Sequence, residues 1–410
     1  MKSRLLKPMP TWQKNMYLLW VGVFLAGVGL SMVTPFLSLY IGTLGTFTKS
    51  QLSFYSSLAF SGSYFVMAIV SPLWGRLADT KGRKKMIIRA GLGMSIVFFL
   101  MGLVNNVWQL IALRVLQGAL GGFASNSNAL VASETPAEQS GYSMGIMMTG
   151  MTSGTLLGPL FGGLLADTIG FRVTFILTGS LLMLATLLVI FGVHEVFKPA
   201  EHVKPLSRSA AFDKLAHPKM MWGFFLTTML VMVANQSINP ILALFVQELN
   251  HNGQNTAFWA GIVAAVPGIA TLLFAPTLGR LGDHYGTARM ISLGFLFASL
   301  VFLPMSLVQT ISQLIMLRFL IGVSDATMLP AIQSLITKEA PHEIVSRMFA
   351  YNQSFQSLGS VFGPLLGALT AHYFDYRGVF VVSAVLMVLN GLWFWYNTRT
   401  MRESDAGHAA

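Results

Sequence analysis

The chain has 410 residues, of which 54% are hydrophobic and 10% charged, with a net charge of +11 and no cysteine. About a quarter of the residues in soluble proteins are charged, so a soluble multidomain enzyme is excluded. Stretches such as 15–48, 173–194 and 220–247 hold no Asp, Glu, Lys or Arg and exceed the roughly 20 residues that cross a bilayer. The lack of cysteine excludes disulfides, thiolate ligands and cysteine nucleophiles.

Lys2, Arg4, Lys7 and Lys14 precede the first apolar segment, and no small-residue cleavage site follows a short hydrophobic region. This reads as a cytoplasmic tail and not as a secretory signal. Twelve spans follow, at 17–40, 54–76, 87–104, 107–131, 142–165, 173–194, 221–247, 257–279, 290–308, 312–336, 348–371 and 378–398. With the N-terminus inside, and with Arg76 and Arg89 at the span ends counted with the loops they border, all but five of the 26 Lys and Arg fall in cytoplasmic tails and loops. Lys49, Arg172 and Arg377 fall outside, and Arg114 and Arg318 fall within spans. That asymmetry is the positive-inside pattern and predicts both termini in the cytoplasm. The basic charge thus sets orientation, and no nucleic-acid partner is expected.

Between spans 6 and 7, Lys198, Pro199, Lys204, Pro205, Arg208, Lys214, Pro218 and Lys219 mark a cytoplasmic linker. The expected division is an N-terminal six-helix bundle at 1–194, a linker at 195–220, and a C-terminal bundle and tail at 221–410. The two bundles repeat each other. Gly75, Leu77, Asp79 and Gly82 recur as Gly279, Leu281, Asp283 and Gly286, and Arg114 and Gly118 as Arg318 and Gly322, all displaced by 204. Pro35, Gly154, Gly158-Pro159, Gly162, Arg172 and Phe175 recur as Pro240, Gly359, Gly363-Pro364, Gly367, Arg377 and Phe380, displaced by 205. The predicted fold is therefore an all-α polytopic membrane protein with 12 transmembrane helices in two homologous six-helix bundles. Repeats of this kind build transporters, with the binding site near the midplane between halves.

Ionisable groups inside spans are costly and usually functional. Arg114 and Arg318 sit at equivalent positions, where they either buttress each half through neighbouring helices or take part in binding or coupling. Asp325 lies near the centre of span 10 and breaks the repeat, since its counterpart is Gly121. It is the candidate proton carrier; a helix–helix hydrogen bond is its plainer role. Candidate substrate-binding residues are Thr34, Tyr64, Asn126, Asn128, Met147 and Met151 in the first half. Gln236, Asn239, Asn352, Gln353 and Gln356 complete them in the second. Methionines re-pack readily around varied ligands. Gly150, Gly154, Gly158 and Gly162 recur every fourth residue, a strip of small residues that lets two helix backbones approach.

These motifs carry a resemblance. Gly75-x-Leu-Ala-Asp79-x-x-Gly82-Arg83-Lys84-Lys85 resembles the signature loop between helices 2 and 3 of the major facilitator superfamily. Leu110-x-x-x-Arg114-x-x-Gln117-Gly118 is similar to its helix-4 motif. Gly150-x-x-x-Gly154-x-x-x-Gly158-Pro159-x-x-Gly162-Gly163 resembles the helix-5 motif of its drug–proton antiporters. The resemblance implies that Gly75, Asp79, Gly82, Arg83 and Lys84 form a cytoplasmic gate. Asp79 would then face a helix N-terminus, and the cations would pair with carboxylates on the opposite half. It further implies that Arg114 serves proton coupling, and that Gly150, Gly154, Gly158, Pro159 and Gly162 seal a leak path. Span 1 lacks the acid that several such antiporters carry there, which leaves coupling to Asp325, Arg114 and Arg318.

No Walker A run is present, so ATP is not the direct energy source. The eight histidines lie mainly in loops without ligand spacing, so no metal site is expected. The expectation is a non-enzymatic secondary transporter in the bacterial inner or plasma membrane. It would export amphipathic drugs by proton antiport through alternating access. A proton-coupled metabolite uptake symporter, or a lipid flippase or transporter-like sensor, shares the fold. No cofactor is expected, since the proton gradient supplies the energy. The partners would be drugs, protons and the bilayer, and the chain is expected to act as a monomer.

Overall fold

The computed structural model describes residues 9–195, 197, 215, 217–251, 253–341 and 344–399. Most of the expected linker, 198–214, lies outside the described residues. The N-terminal half contains α1 (Thr11–Met32), α2 (Leu37–Thr43), α3 (Lys49–Lys81), α4 (Arg83–Met101), α5 (Val107–Leu120), α6 (Phe123–Glu134), α7 (Ser140–Ile169) and α8 (Phe171–Gly192). The C-terminal half contains α9 (Pro218–Ser237), α10 (Asn239–Leu249), α11 (Thr256–Tyr285), α12 (Thr287–Met305), α13 (Ile311–Glu339) and α14 (Val345–Asn397).

Nine helical stretches among the described residues are long and apolar enough to count as spans. The last, Arg347–Asn397, holds two crossings, because the chain leaves helical geometry at Asp375 (φ 59°, ψ 179°). Two further helices complete twelve. Helix α4 carries Arg83, Lys84, Lys85 and Arg89, and α7 is rich in glycine and hydroxyl residues, so both fall short on apolarity alone.

Three spans expected as single helices are broken. Span 1 divides into α1 and α2 around Pro35, and span 7 into α9 and α10 at Ile238, two residues before Pro240. A proline removes one backbone donor and clashes with the preceding turn, so a repeated proline at these two places favours a repeated break. Span 4 divides into α5 and α6 at Gly121 and Gly122, the latter in the left-handed region (φ 112°). Its counterpart α13 runs unbroken through Asp325.

Four sharp reversals each depend on one residue at positive φ. Gly82 and Gly286 (97° and 96°) turn α3 into α4 and α11 into α12. Gly170 and Asp375 (87° and 59°) are likewise repeat-equivalent and join the last two spans of each half. Glycine meets no Cβ penalty there; Asp375 instead accepts a bond from the Tyr376 N–H at 2.8 Å. Helix starts repeat too. Asn106 caps α5 through the N–H of Gln109, and Thr310 caps α13 through the N–H of Gln313.

Each half buries its own core. One cluster is centred on Phe36, Phe60, Phe98, Phe123 and Phe175, the other on Phe224, Phe225, Phe245, Phe295, Phe302 and Phe380. Because consecutive spans alternate in direction, the termini and the Gly82 and Gly286 turns share one face, here the terminal face. The α2–α3, α7–α8 and α10–α11 connections share the opposite, distal face.

Candidate functional site

The seam between halves is built mainly from four helices, with α3 against α14 and α7 against α11, and α10 meets α2 and α3 toward the distal face. On α3, Ser53, Ser57 and Ser61 form a buried strip at helical spacing. The Ser61 hydroxyl donates to the Val361 carbonyl at 2.7 Å across the halves. Nearer the distal face, Ser38 donates to the Pro240 carbonyl at 2.7 Å, and Ser50 bonds His372. Lys49 lies 3.2 Å from Glu248 and 3.9 Å from Asp375. On the other seam, the carboxylate of Asp167 accepts the N–H groups of Ala257 and Phe258 at 3.2 and 2.7 Å. These bonds lie in the distal half of the seam or at its middle.

Toward the terminal face the helices separate. Phe65, Ile69 and Leu73 on α3 and Leu272 and Leu273 on α11 are exposed. A Cβ placed on Gly75, Gly141, Gly145 or Gly279 would meet nothing within 4 Å. Between the halves at the distal face lies a cavity of about 440 Å³, bounded by Leu39, Phe47, Asp167, Phe171, Leu244 and Gln247.

The expected gate loop is folded onto its own half. Arg83 pairs with Asp79 at 3.3 Å, and Lys84 Nζ donates to the Ile190 carbonyl at 3.0 Å. The backbone N–H groups of Arg83 and Lys84 donate to the two oxygens of Glu195 at 2.7 and 2.9 Å. Glu195 thereby caps α4, which starts at a glycine with no side chain to do so. The pairing of Arg83 and Lys84 with the opposite half, expected of a gate that holds the outward-facing state, is not seen among the described residues with the terminal face open. Among the described residues, the carboxylates that meet this loop are Asp79 on α3 and Glu195, just beyond α8.

The glycine strips pack as small residues should. A Cβ on Gly154 would lie 2.5 Å from the Phe24 carbonyl, and one on Gly359 would lie 2.5 Å from the Met229 carbonyl. These are repeat-equivalent contacts, of α7 on α1 and of α14 on α9. Gly150, Gly158 and Gly162 meet α1 in the same way. Met147 shares this strip and is fully buried in the N-terminal core, and its counterpart Asn352 is 2% exposed. Both, expected as pocket wall, are thus closed off from open space in this arrangement. Asn126 is also buried; it donates to the Gly122 carbonyl at 2.7 Å and braces the broken span 4.

Thr34, Tyr64, Asn128, Met151, Gln236, Asn239 and Gln356 are partly exposed, and Gln353 is exposed. Gln236 and Asn239 bond each other across the α9–α10 break.

The buried arginines act alike. Arg114 Nε donates to the Ala59 carbonyl at 3.4 Å, and Arg318 Nε to the Val263 carbonyl at 3.3 Å. Donor and acceptor are both displaced by 204. Arg114 also donates to Gln117 Oε1 at 2.7 Å, where the second half has Ile321. Asp325 accepts a bond from Asn235 Nδ2 at 3.0 Å. No ion pair joins Asp325 to Arg318, as their separation along the helix predicts.

Three residues were given no site role by the sequence. Arg89, counted among loop cations, lies inside α4, stacks over Trp74 and donates to the Gly121 carbonyl at 3.1 Å. Its place two residues inside the expected span 3 was the available signal. Asn235 could have been found by the same mismatch as Asp325, because its repeat partner is Leu30. Asp167 gave no sequence signal, since its acceptor role exists only across the seam.

The family model of the Major Facilitator Superfamily matches residues 19–270 and 224–410. Multidrug resistance protein MdtG of Citrobacter koseri is 45% identical over 395 residues, covering 96% of this chain and 97% of that protein. Its counterpart from Escherichia coli is 44% identical with the same coverage. Among solved structures, a bacterial homologue of the human lysosomal transporter Spinster, inward-facing and occupied, superposes with TM-score 0.78. It is 16% identical and covers 96% of this chain and 98% of its own. The nucleoside transporter NupG gives 0.78 at 14% identity, over 95% and 100%. At such identities the likeness extends to the fold alone.

Proposed function

We propose that this chain, which belongs to the Major Facilitator Superfamily, exports amphipathic drugs from the bacterial cytoplasm by proton antiport through alternating access. One observation carries the alternating-access reading. Among the described residues, the cross-half hydrogen bonds and ion pairs cluster at the distal face and the middle of the seam, while the gate loop on the terminal face is bonded within the first half. With the termini in the cytoplasm, as the basic loops predict, this is an inward-facing arrangement. The outward-facing one requires the gate loop to exchange partners.

The direction of transport is read from the relatives named for multidrug resistance and from the helix-5 glycine strip. In the coupling step Asp325 takes a proton on one side and releases it on the other. Asn235 holds the carboxylate through one amide N–H, and Arg114 and Arg318 anchor helices α5 and α13 to their neighbours. Thr34, Tyr64, Gln236, Asn239, Gln353 and Gln356 are the polar groups that would meet substrate. A charge confined in a low-dielectric span is costly, so proton occupancy of one carboxylate can bias the two states.

The decisive experiment is drug-driven proton movement in proteoliposomes, comparing the parent with Asp325→Asn. Loss of proton movement with retained drug binding is expected. Undiminished proton-coupled efflux by Asp325→Asn would refute the coupling role, and counterflow with sugars but not drugs would refute the export reading.

A further inference from the structure

Helix α11 starts without a cap of its own. Its N-cap residue, Asn255, lies in the left-handed region (φ 60°) and makes no side-chain bond to the first turn. The opening N–H groups of a helix have no partner within it and need acceptors. Here they find one on the other half of the protein: Asp167, near the distal end of α7, receives Ala257 and Phe258 on its two carboxylate oxygens. A carboxylate is also the group that the helix dipole favours at that end.

The neighbouring backbone is built to allow this reach. A Cβ on Gly163 would run into the Ala257 carbonyl, and one on Gly261 into the Pro159 carbonyl. Glycine at both positions lets α7 and α11 approach until Asp167 meets the helix end.

The other seam shows why this contact is special. The counterpart of Asp167, displaced by 205, is His372, which bonds Ser50 in the first turn of α3. Helix α3, however, carries its own capping box, Thr48 with Gln51. Parting the halves there leaves α3 capped. The Lys49 pairs beside it are largely exposed, and such pairs contribute little. Parting α7 from α11 strips α11 of the only side-chain cap it has among the described residues.

We propose that Asp167 is the latch of the distal face, a helix cap supplied by one half to the other, whose loss shifts the protein toward distal opening. The proposal rests on the alternating-access reading for its two states, but not on drug export or proton coupling.

The chain has no cysteine, so single introduced thiols report without background. Ser57→Cys places a probe on the buried α3 strip facing α14, where the native hydroxyl has no partner to lose. Ser95→Cys, within the N-terminal core, reports unfolding. Maleimide labelling of the full chain in nanodiscs, without drug or proton gradient, is then compared across Asp167→Ala, Asp167→Asn and Gly261→Ala. Asp167→Ala is expected to speed labelling of Ser57→Cys by roughly two- to thirty-fold, the span that loss of a cap gives, with Ser95→Cys still protected. Asp167→Asn, which keeps one acceptor, should fall between, and Gly261→Ala should wedge the same seam open.

An unchanged rate in Asp167→Ala overturns the proposal, and so does a rise in Gly261→Ala alone, which would mean closure by packing only. Should Asp167→Ala expose Ser95→Cys, Asp167→Asn decides, and an unchanged rate there overturns it. Failure of drug export in a separate assay leaves these labelling outcomes readable.

Discussion

Two glycines on one helix should respond to alanine with opposite signs. Gly154 of α7 faces backbone only: an added Cβ would lie 2.5 Å from the Phe24 carbonyl, 2.9 Å from the Val28 nitrogen and 3.0 Å from the Gly27 Cα. None of these atoms can rotate away. To restore an ordinary separation of about 3.5 Å, α1 and α7 must part by roughly 1 Å, which opens the rest of the strip. Overpacking of this kind costs about 1–3 kcal/mol. Gly145 lies on the same helix, nine residues earlier, with nothing within 4 Å of its added Cβ. There alanine only improves helix propensity, by about 1 kcal/mol. Thermal unfolding of purified protein should show Gly154→Ala less stable than the parent and Gly145→Ala equal or more stable. Gly359→Ala, the repeat-equivalent change, should match Gly154→Ala. If Gly154→Ala and Gly145→Ala unfold alike, the close approach of α1 and α7 is wrong, and with it the packing account of the glycine strip.

Gly75 faces open space in the present arrangement, so Gly75→Leu should leave the protein as stable as the parent or more so. Closure of the terminal face would crowd it at about 1–3 kcal/mol, a roughly 5- to 150-fold loss of that state; transport should fall accordingly, and normal transport with normal expression would refute the gate assignment. Glu195→Ala should uncap α4, and hydrogen exchange at the Arg83 and Lys84 amides should quicken by roughly two- to thirty-fold while the rest of α4 is unaffected. Unaltered exchange there would mean that water serves those groups as well as the carboxylate.

Much of the fold was legible because the chemistry that carries it is local and occurs twice. Gly82, Gly170 and Gly286 turn the chain because their backbones reach positive φ without strain; proline was a poorer guide, since Pro35 and Pro240 stand at breaks while Pro72, Pro159 and Pro267 lie inside unbroken helices. The fourth such turn was not legible in this way, since Asp375 holds the position that Gly170 holds in the first half. Mismatches between halves pointed to Asp325, and the same comparison applied to Leu30 would have exposed Asn235. That Met147 and Asn352, expected as pocket wall, are buried here was not legible, because residue type does not say which strip of a helix meets its neighbour.

Sequence alone determined the membrane class, the twelve crossings, the duplication and the family motifs, since these follow from apolar length, charge placement and internal spacing. Tertiary structure alone decided which face is closed, and where Asp167, Glu195 and Arg89 spend their hydrogen-bonding capacity. Each of these serves a backbone group far along the chain, on the other half or across a bundle. An unpaired N–H at a helix end looks the same in every sequence; its acceptor is whichever side chain the packing of helices brings within about 3 Å.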